Sequence, residues 1–137
     1  MSRDEVLKVV DFGVSEMFEK PGEDMRTTKS AGSPAFLPPE LCVAQHGNVS
    51  GKAADIWSMG VTLYCLRYGH IPFSRFGVLE MYASIQNDLV KVPPEESDEF
   101  RDLIYRILEK NPAKRITMDE LRVSHWTKMV RHSITRC

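Results

Sequence analysis

The residues with the clearest chemical potential are Asp11-Phe12-Gly13, directly after the short β-branched run Val6-Leu7-Lys8-Val9-Val10. A carboxylate at a strand end, followed by a glycine that permits a sharp turn, can present an oxygen ligand to a Mg²⁺ ion carried by a nucleotide. The same tripeptide also makes an ordinary turn, so its chemistry depends on what surrounds it. A base for proton transfer is harder to find. His46, His70, His125 and His132 have no partner at an informative spacing and read as surface or packing histidines. Cys42, Cys65 and Cys137 are scattered and odd in number, which argues against a disulfide framework and for a reducing compartment.

These groups belong to a chain of 137 residues, close to the usual size of one domain. The composition is 42% apolar and 27% charged, with a formal net charge of -1. A general binder of nucleic acid or of anionic membrane would need a large basic excess, so neither is expected as a partner. No run approaches the ~20 apolar residues that span a bilayer. The start, Met1-Ser2-Arg3-Asp4-Glu5, lacks a secretory pattern. A cytoplasmic chain is expected, or a nuclear one.

The run Val6 to Val10 predicts a strand, and Val14 to Phe18 a second, weaker one. From Glu19 to Pro39 the chain is polar and carries four prolines, a long aperiodic loop of the kind that is usually functional. From Glu40 onward the pattern is helical. Ser50 offers an N-cap, Ala53 to Tyr68 follows, and Gly69 is the stop. Apolar residues cover every face of that helix, which predicts a buried central element. Val78, Met81, Tyr82 and Ile85 mark a shorter amphipathic helix. Phe100, Leu103, Ile104, Ile107 and Leu108 keep helical period behind a Ser97 cap, with Asn111-Pro112 as the end. Thr117 and Glu120 have the spacing of a capping box for a last short helix.

Further motifs follow Asp11 in a set order. They are Ala31-Gly32-Ser33-Pro34-Ala35-Phe36-Leu37-Pro38-Pro39-Glu40, Asp55-Ile56-Trp57-Ser58-Met59-Gly60 and Gly69-His70-Ile71-Pro72-Phe73. Then come Asn111-Pro112-Ala113-Lys114-Arg115-Ile116-Thr117 and His125-Trp126. In this order and spacing the chain resembles the large lobe of a eukaryotic Ser/Thr protein kinase, from the D-F-G turn to the last helix. Val10 to Ser15, Gly32 to Phe36 and Gly60 to Cys65 are similar to calcium/calmodulin-dependent protein kinase kinases, of the fungal kind that activate AMP-activated-type kinases. The resemblance implies a mostly α fold: the C-terminal-lobe portion of the α+β kinase fold, with one or two short strands at the N-terminus. It implies a partial kinase domain over residues 1–127 and an unassigned tail over 128–137.

By that resemblance Asp11 chelates the Mg²⁺ that bridges the ATP phosphates, and Phe12 packs in the core. Residues 14–37 become an activation segment, with Thr27, Thr28, Ser30 and Ser33 as candidate phosphorylation sites. Gly32, Ser33, Pro34, Ala35 and Phe36 form a substrate-docking loop, in which Ser33 has a structural place. Pro38-Pro39-Glu40 stands where the family has A-P-E, departing at the first position. Glu40 is expected to pair with Arg115 in bidentate geometry, although two such charges alone could equally be solvated. Asp55 and Trp57 are structural. Asp55 lies in an apolar helix where a charge is costly unless hydrogen-bonded, and in the family it accepts bonds from the catalytic loop.

These 137 residues contain no Gly-rich loop, no strand Lys with a helix Glu partner and no H-R-D-x-x-x-x-N loop. No catalytic base is present. The expectation is therefore a fragment of an enzyme that transfers the ATP γ-phosphate to Ser/Thr of proteins, the substrates implied by the resemblance being activation loops of AMP-activated-type kinases. ATP and Mg²⁺ are the family cofactors, and this chain alone is expected neither to bind them nor to catalyse transfer. The alternative is a non-catalytic docking module working through residues 34–90. Calmodulin is a candidate partner of a longer parent. Trp126, Met129, Val130 and Ile134 interleave with Lys128, Arg131 and Arg136, but Ser133-Ile134-Thr135 is a poor helix former and the segment reads as a frayed tail.

Overall fold

The computed structural model describes residues 8, 10–13, 15, 26–27, 32–43, 46–124 and 126–128. Strand β1 (Arg26–Thr27) precedes two 3-10 turns, Pro34–Phe36 and Pro39–Leu41. Strand β2 (Val49–Ser50) then leads into α1 (Gly51–Tyr68), followed by α2 (Val78–Asn87), α3 (Asp98–Ile107) and α4 (Met118–Val123). No helix among the described residues is long and apolar enough to cross a membrane.

The strands lie elsewhere than the sequence pattern predicts. Lys8 and Val10 are outside regular structure, and the rest of both expected N-terminal strands falls almost wholly outside the described residues. The observed ladder pairs β1 antiparallel with β2, Arg26 opposite Ser50 and Thr27 opposite Val49. Ser50 can end a strand and start a helix because an N-cap residue is itself extended, here at φ -70 and ψ 112.

Caps set the helix ends. The Ser50 hydroxyl accepts from the Ala53 amide at 3.4 Å, so α1 begins at Gly51, two residues ahead of the predicted start. At the other end Gly69 takes φ 75, the left-handed region that glycine enters without a Cβ clash, and its amide closes onto the Cys65 carbonyl at 2.8 Å. Glu40 does not open a continuous helix. It sits in one proline-led 3-10 turn, and residues 42–43 and 46–48 carry no helix. Ser97 caps α3 through the Phe100 amide. That helix stops at Ile107 rather than at Asn111-Pro112, because Asn111 bends the chain back: its side-chain carbonyl accepts from Ala113 at 3.0 Å, and its backbone carbonyl accepts from Lys114 and Arg115. The Thr117–Glu120 capping box is formed in both directions.

The core gathers on α1. Trp57, Val61 and Tyr64 are buried against Phe100, Leu103, Ile104 and Ile107 of α3, Ile85 of α2 and Phe73 of the intervening loop. The indole of Trp57 stacks on the Phe73 ring with centroids 5.8 Å apart and planes 11° from parallel. The Tyr64 hydroxyl donates to the Lys91 carbonyl at 2.7 Å, so a polar tip on a core aromatic is satisfied. Burial of α1 is nevertheless one-sided. Asp55 and Thr62 are exposed and Leu66 is 81% exposed, and at spacings of seven and four they share one stripe. No described element covers that side, which the all-round apolar pattern does not show.

Candidate functional site

Asp11 stands at the start of a locally braced turn. Its backbone takes φ 64, a conformation that aspartate tolerates better than most residues. Its Oδ1 accepts from the Gly13 amide at 3.4 Å, and the amide and hydroxyl of Ser15 both donate to the Phe12 carbonyl, at 3.0 and 2.6 Å. The Asp11 carboxylate is open to solvent. So is Phe12, at 70% exposure, which corrects its expected place in the core: among the described residues nothing covers the ring. Among the described residues no three His, Cys, Asp or Glu side chains group into a metal site. Asp11 alone supplies one oxygen ligand, which suits a Mg²⁺ ion only if phosphate oxygens and water complete its octahedron.

The loop from Gly32 to Phe36 is built differently. Gly32 takes φ 109, where a side chain would be strained, and Ser33 is extended and exposed. Its carbonyl accepts from the Phe36 amide at 3.0 Å, starting the first 3-10 turn. Leu37, Pro38 and Pro39 are buried behind it. Ser58 of α1 donates to Phe36 O at 3.1 Å within this loop, and beyond the loop Gln86 of α2 donates to Cys42 O at 3.1 Å. Thr27 is described only as part of β1, and Thr28 and Ser30 lie outside the described residues.

Between these two anchors Glu40 meets Arg115. The guanidinium donates Nη1 to Oε1 at 2.7 Å and Nη2 to Oε2 at 2.9 Å, a bidentate pair in which the Arg115 side chain is 0% and the Glu40 side chain 11% exposed. The other donors go to carbonyls: Nε to Glu109 at 2.9 Å, Nη1 to Ala53 at 2.8 Å and Nη2 to Lys110 at 3.4 Å. One planar cation thus joins the second 3-10 turn, the first turn of α1 and the loop after α3. Its face lies 5.1 Å from the centroid of the Trp57 ring, whose Nε1 is buried and, among the described residues, unpartnered.

Lys110, which carries no signal in the sequence pattern, completes this centre. Its Nζ lies 3.8 Å from the Phe73 ring centroid and 5.2 Å from that of Trp57, and donates to the Ile85 carbonyl at the end of α2. Burial lowers its amine to about 8 against the attraction of nearby Asp88 and Cys42. Cys42 is pushed the other way, to about 11, by burial and by the Glu40 carboxylate. Such a thiol is a packing group and not a nucleophile.

Asp55 sits apart from this centre. It is exposed on the open side of α1 and makes no hydrogen bond among the described residues, and partial desolvation raises its carboxyl above the usual value. His46 and His70 each lie near the carbonyl of the following residue, and His70 also edges the Tyr64 ring. His125 and His132 lie outside the described residues, as does nearly all of the tail. The arrangement therefore offers one solvent-open carboxylate and one rigidly clasped loop. No nucleophile–base pair is formed among the described residues.

The protein kinase domain family matches residues 1–127. The calcium/calmodulin-dependent protein kinase kinase cmkC of Emericella nidulans is 64% identical over 126 residues, covering 92% of this chain and 24% of that protein. From Schizosaccharomyces pombe, the serine/threonine-protein kinase ppk34 is 39% identical, covering 94% of this chain and 36% of its own length. The serine/threonine-protein kinase ssp1 of the same yeast is 37% identical, with 88% and 20% covered. The chain thus spans about a quarter of the length of the first of these relatives.

Proposed function

Because the chain belongs to the protein kinase domain family, we propose that it forms part of the C-terminal lobe of a Ser/Thr protein kinase that transfers the ATP γ-phosphate to protein substrates. The observation that carries this reading is the Glu40–Arg115 clasp, which ties the second 3-10 turn, directly after the loop of residues 32–37, to the first turn of the central helix. The open stripe of α1 agrees with it: a central helix with Leu66 81% exposed has room for further chain on that side.

Asp11 would hold Mg²⁺ through its free carboxylate, with nucleotide phosphates supplying most of the remaining ligands. The bound ion would neutralise charge on the phosphates. Exposed Ser33 and its neighbours would receive the protein substrate, and Thr27, Thr28 and Ser30 would be the regulatory hydroxyls. Likeness to a calcium/calmodulin-dependent protein kinase kinase supports a protein kinase as substrate and calmodulin as a partner of the longer protein. Activation loops of AMP-activated-type kinases would be those substrates, and the location would be cytoplasmic. The 137 residues alone would be inactive, since positioning and charge stabilisation provide nearly all of phosphoryl-transfer catalysis and most of those parts are not in this sequence.

The test compares the complete polypeptide carrying these residues with the 137-residue chain, using labelled ATP, Mg²⁺ and an activation-loop peptide. Transfer is expected from the complete polypeptide only, and Asp11→Asn should abolish it while leaving the fold intact. Retention of most turnover by that variant would remove Asp11 from the site. A complete polypeptide that binds the peptide without phosphorylating it would favour a docking module instead.

A further inference from the structure

Ser58 lies on α1 one residue after Trp57. Its Oγ is 3.1 Å from the Ala54 carbonyl, the usual back-bond of a helical serine, and equally 3.1 Å from the Phe36 carbonyl, 22 residues earlier in the chain. The two acceptors differ in need. Ala54 O lies within α1, where the helix ladder already supplies a donor. Phe36 O has Ser58 Oγ as its only donor among the described residues, and both groups are half-buried. A half-buried carbonyl without a donor carries a desolvation cost, so the proton is better placed on Phe36.

We propose that Ser58 is a positioning residue, one that fixes the Phe36 carbonyl and thereby the loop of residues 32–37 that receives the protein substrate. This assignment rests on the kinase reading above. It separates Ser58 from the other two anchors: Arg115 holds Glu40 on the far side of Leu37, and Gln86 holds Cys42 beyond that. Among the described residues, only Ser58 sends a hydrogen bond from another element to residues 32–36, whose Phe36 side chain also packs on the core. Loss of it would let that segment rock about Leu37 while the clasp stayed closed.

The experiment uses the complete polypeptide. Ser58→Ala should raise KM for the protein substrate about fivefold, the scale of one net hydrogen bond, with kcat and KM for ATP within about twofold of wild type. Ser58→Thr keeps the hydroxyl and should return KM most of the way. Gln86→Ala removes an anchor outside the segment and should leave KM within about twofold. An unchanged KM in Ser58→Ala, a matching rise in Gln86→Ala, or equal losses in kcat and both KM values would overturn the assignment. Hydrogen exchange at the Phe36 and Leu37 amides of the same polypeptide reads the tether without any turnover. Faster exchange in Ser58→Ala, reversed in Ser58→Thr, supports the tether even if the polypeptide transfers no phosphate and the kinase reading falls. Unchanged exchange sinks the tether itself.

Discussion

Gly60 of α1 and Ile107 of α3 meet with no room for a side chain at position 60. A Cβ there would lie 2.2 Å from Ile107 Cγ2 and 2.9 Å from Leu108 Cδ2, so the two helices approach on the backbone of α1. Alanine is the better helix former, by up to about 1 kcal/mol. The overlap is with branched side chains of a packed core, where added methyl groups cost about 1–3 kcal/mol or more. Gly60→Ala should therefore destabilise in a denaturant melt. A neutral or stabilising result would show that α3 can move away from α1.

Arg115→Ala should be the most damaging single truncation in the clasp. It strands the Glu40 carboxylate, 11% exposed, and removes the side-chain donor to the Glu109 carbonyl. Breaking a buried pair from one side costs roughly 3–5 kcal/mol, against under about 1 for an exposed pair. Arg115→Lys should recover only part of this, because an ammonium cannot copy two parallel bonds to a carboxylate and three to carbonyls. Equilibrium unfolding of both variants checks the order. A loss below 1 kcal/mol in Arg115→Ala would contradict the described geometry.

Glu96 gives the fold an acid-sensitive joint. Arg67 donates to it through Nε at 2.8 Å, Tyr68 through its hydroxyl at 2.9 Å and the Ser97 amide at 3.1 Å. The Arg67 bond foremost holds its carboxyl down at about 2, below the ordinary 4.5. A carboxylate whose folded value is depressed contributes fully above its unfolded value, and the contribution fades as pH falls from about 4.5 to about 2. Glu96→Gln should flatten that part of the stability–pH curve and lower the plateau above pH 5. Parallel wild-type and variant curves across this range would remove Glu96 from the acid response.

Lys110 should act in the alkaline range and with the opposite slope. Burial lowers its folded value to about 8 from 10.5, so the unfolded chain holds more protons than the folded one as pH rises past 8. Stability then increases with pH. Cys42, raised from 9.0 to about 11, works against this above pH 9, so the clean window is about pH 8 to 9. Lys110→Met keeps the stem over the Phe73 ring without the charge and should remove the rise. Thermal melts at pH 8 and 9 would show it, and an equal rise in the variant would assign the effect elsewhere.

The elements whose ends depend on neighbouring residues were readable from the chain alone. Ser50, Ser97 and Thr117 are caps because a hydroxyl one turn before an amide satisfies it, and Gly69 ends α1 because only a residue without Cβ enters the left-handed region freely. The period of Phe100, Leu103, Ile104 and Ile107 marked the buried face of α3 for the same local reason. The Glu40–Arg115 pair is legible only through the resemblance to the protein kinase family, since nothing within a turn of either residue identifies a partner 75 positions away. Three features were decided by tertiary structure: the side of α1 left open at Leu66, the half-buried place of Lys110 over the Phe73 and Trp57 rings, and the exposure of Phe12. A side chain's type states its preference for water. Whether that preference is met depends on which distant element arrives to cover it, and short strands such as Arg26–Thr27 have too few residues to carry a period at all.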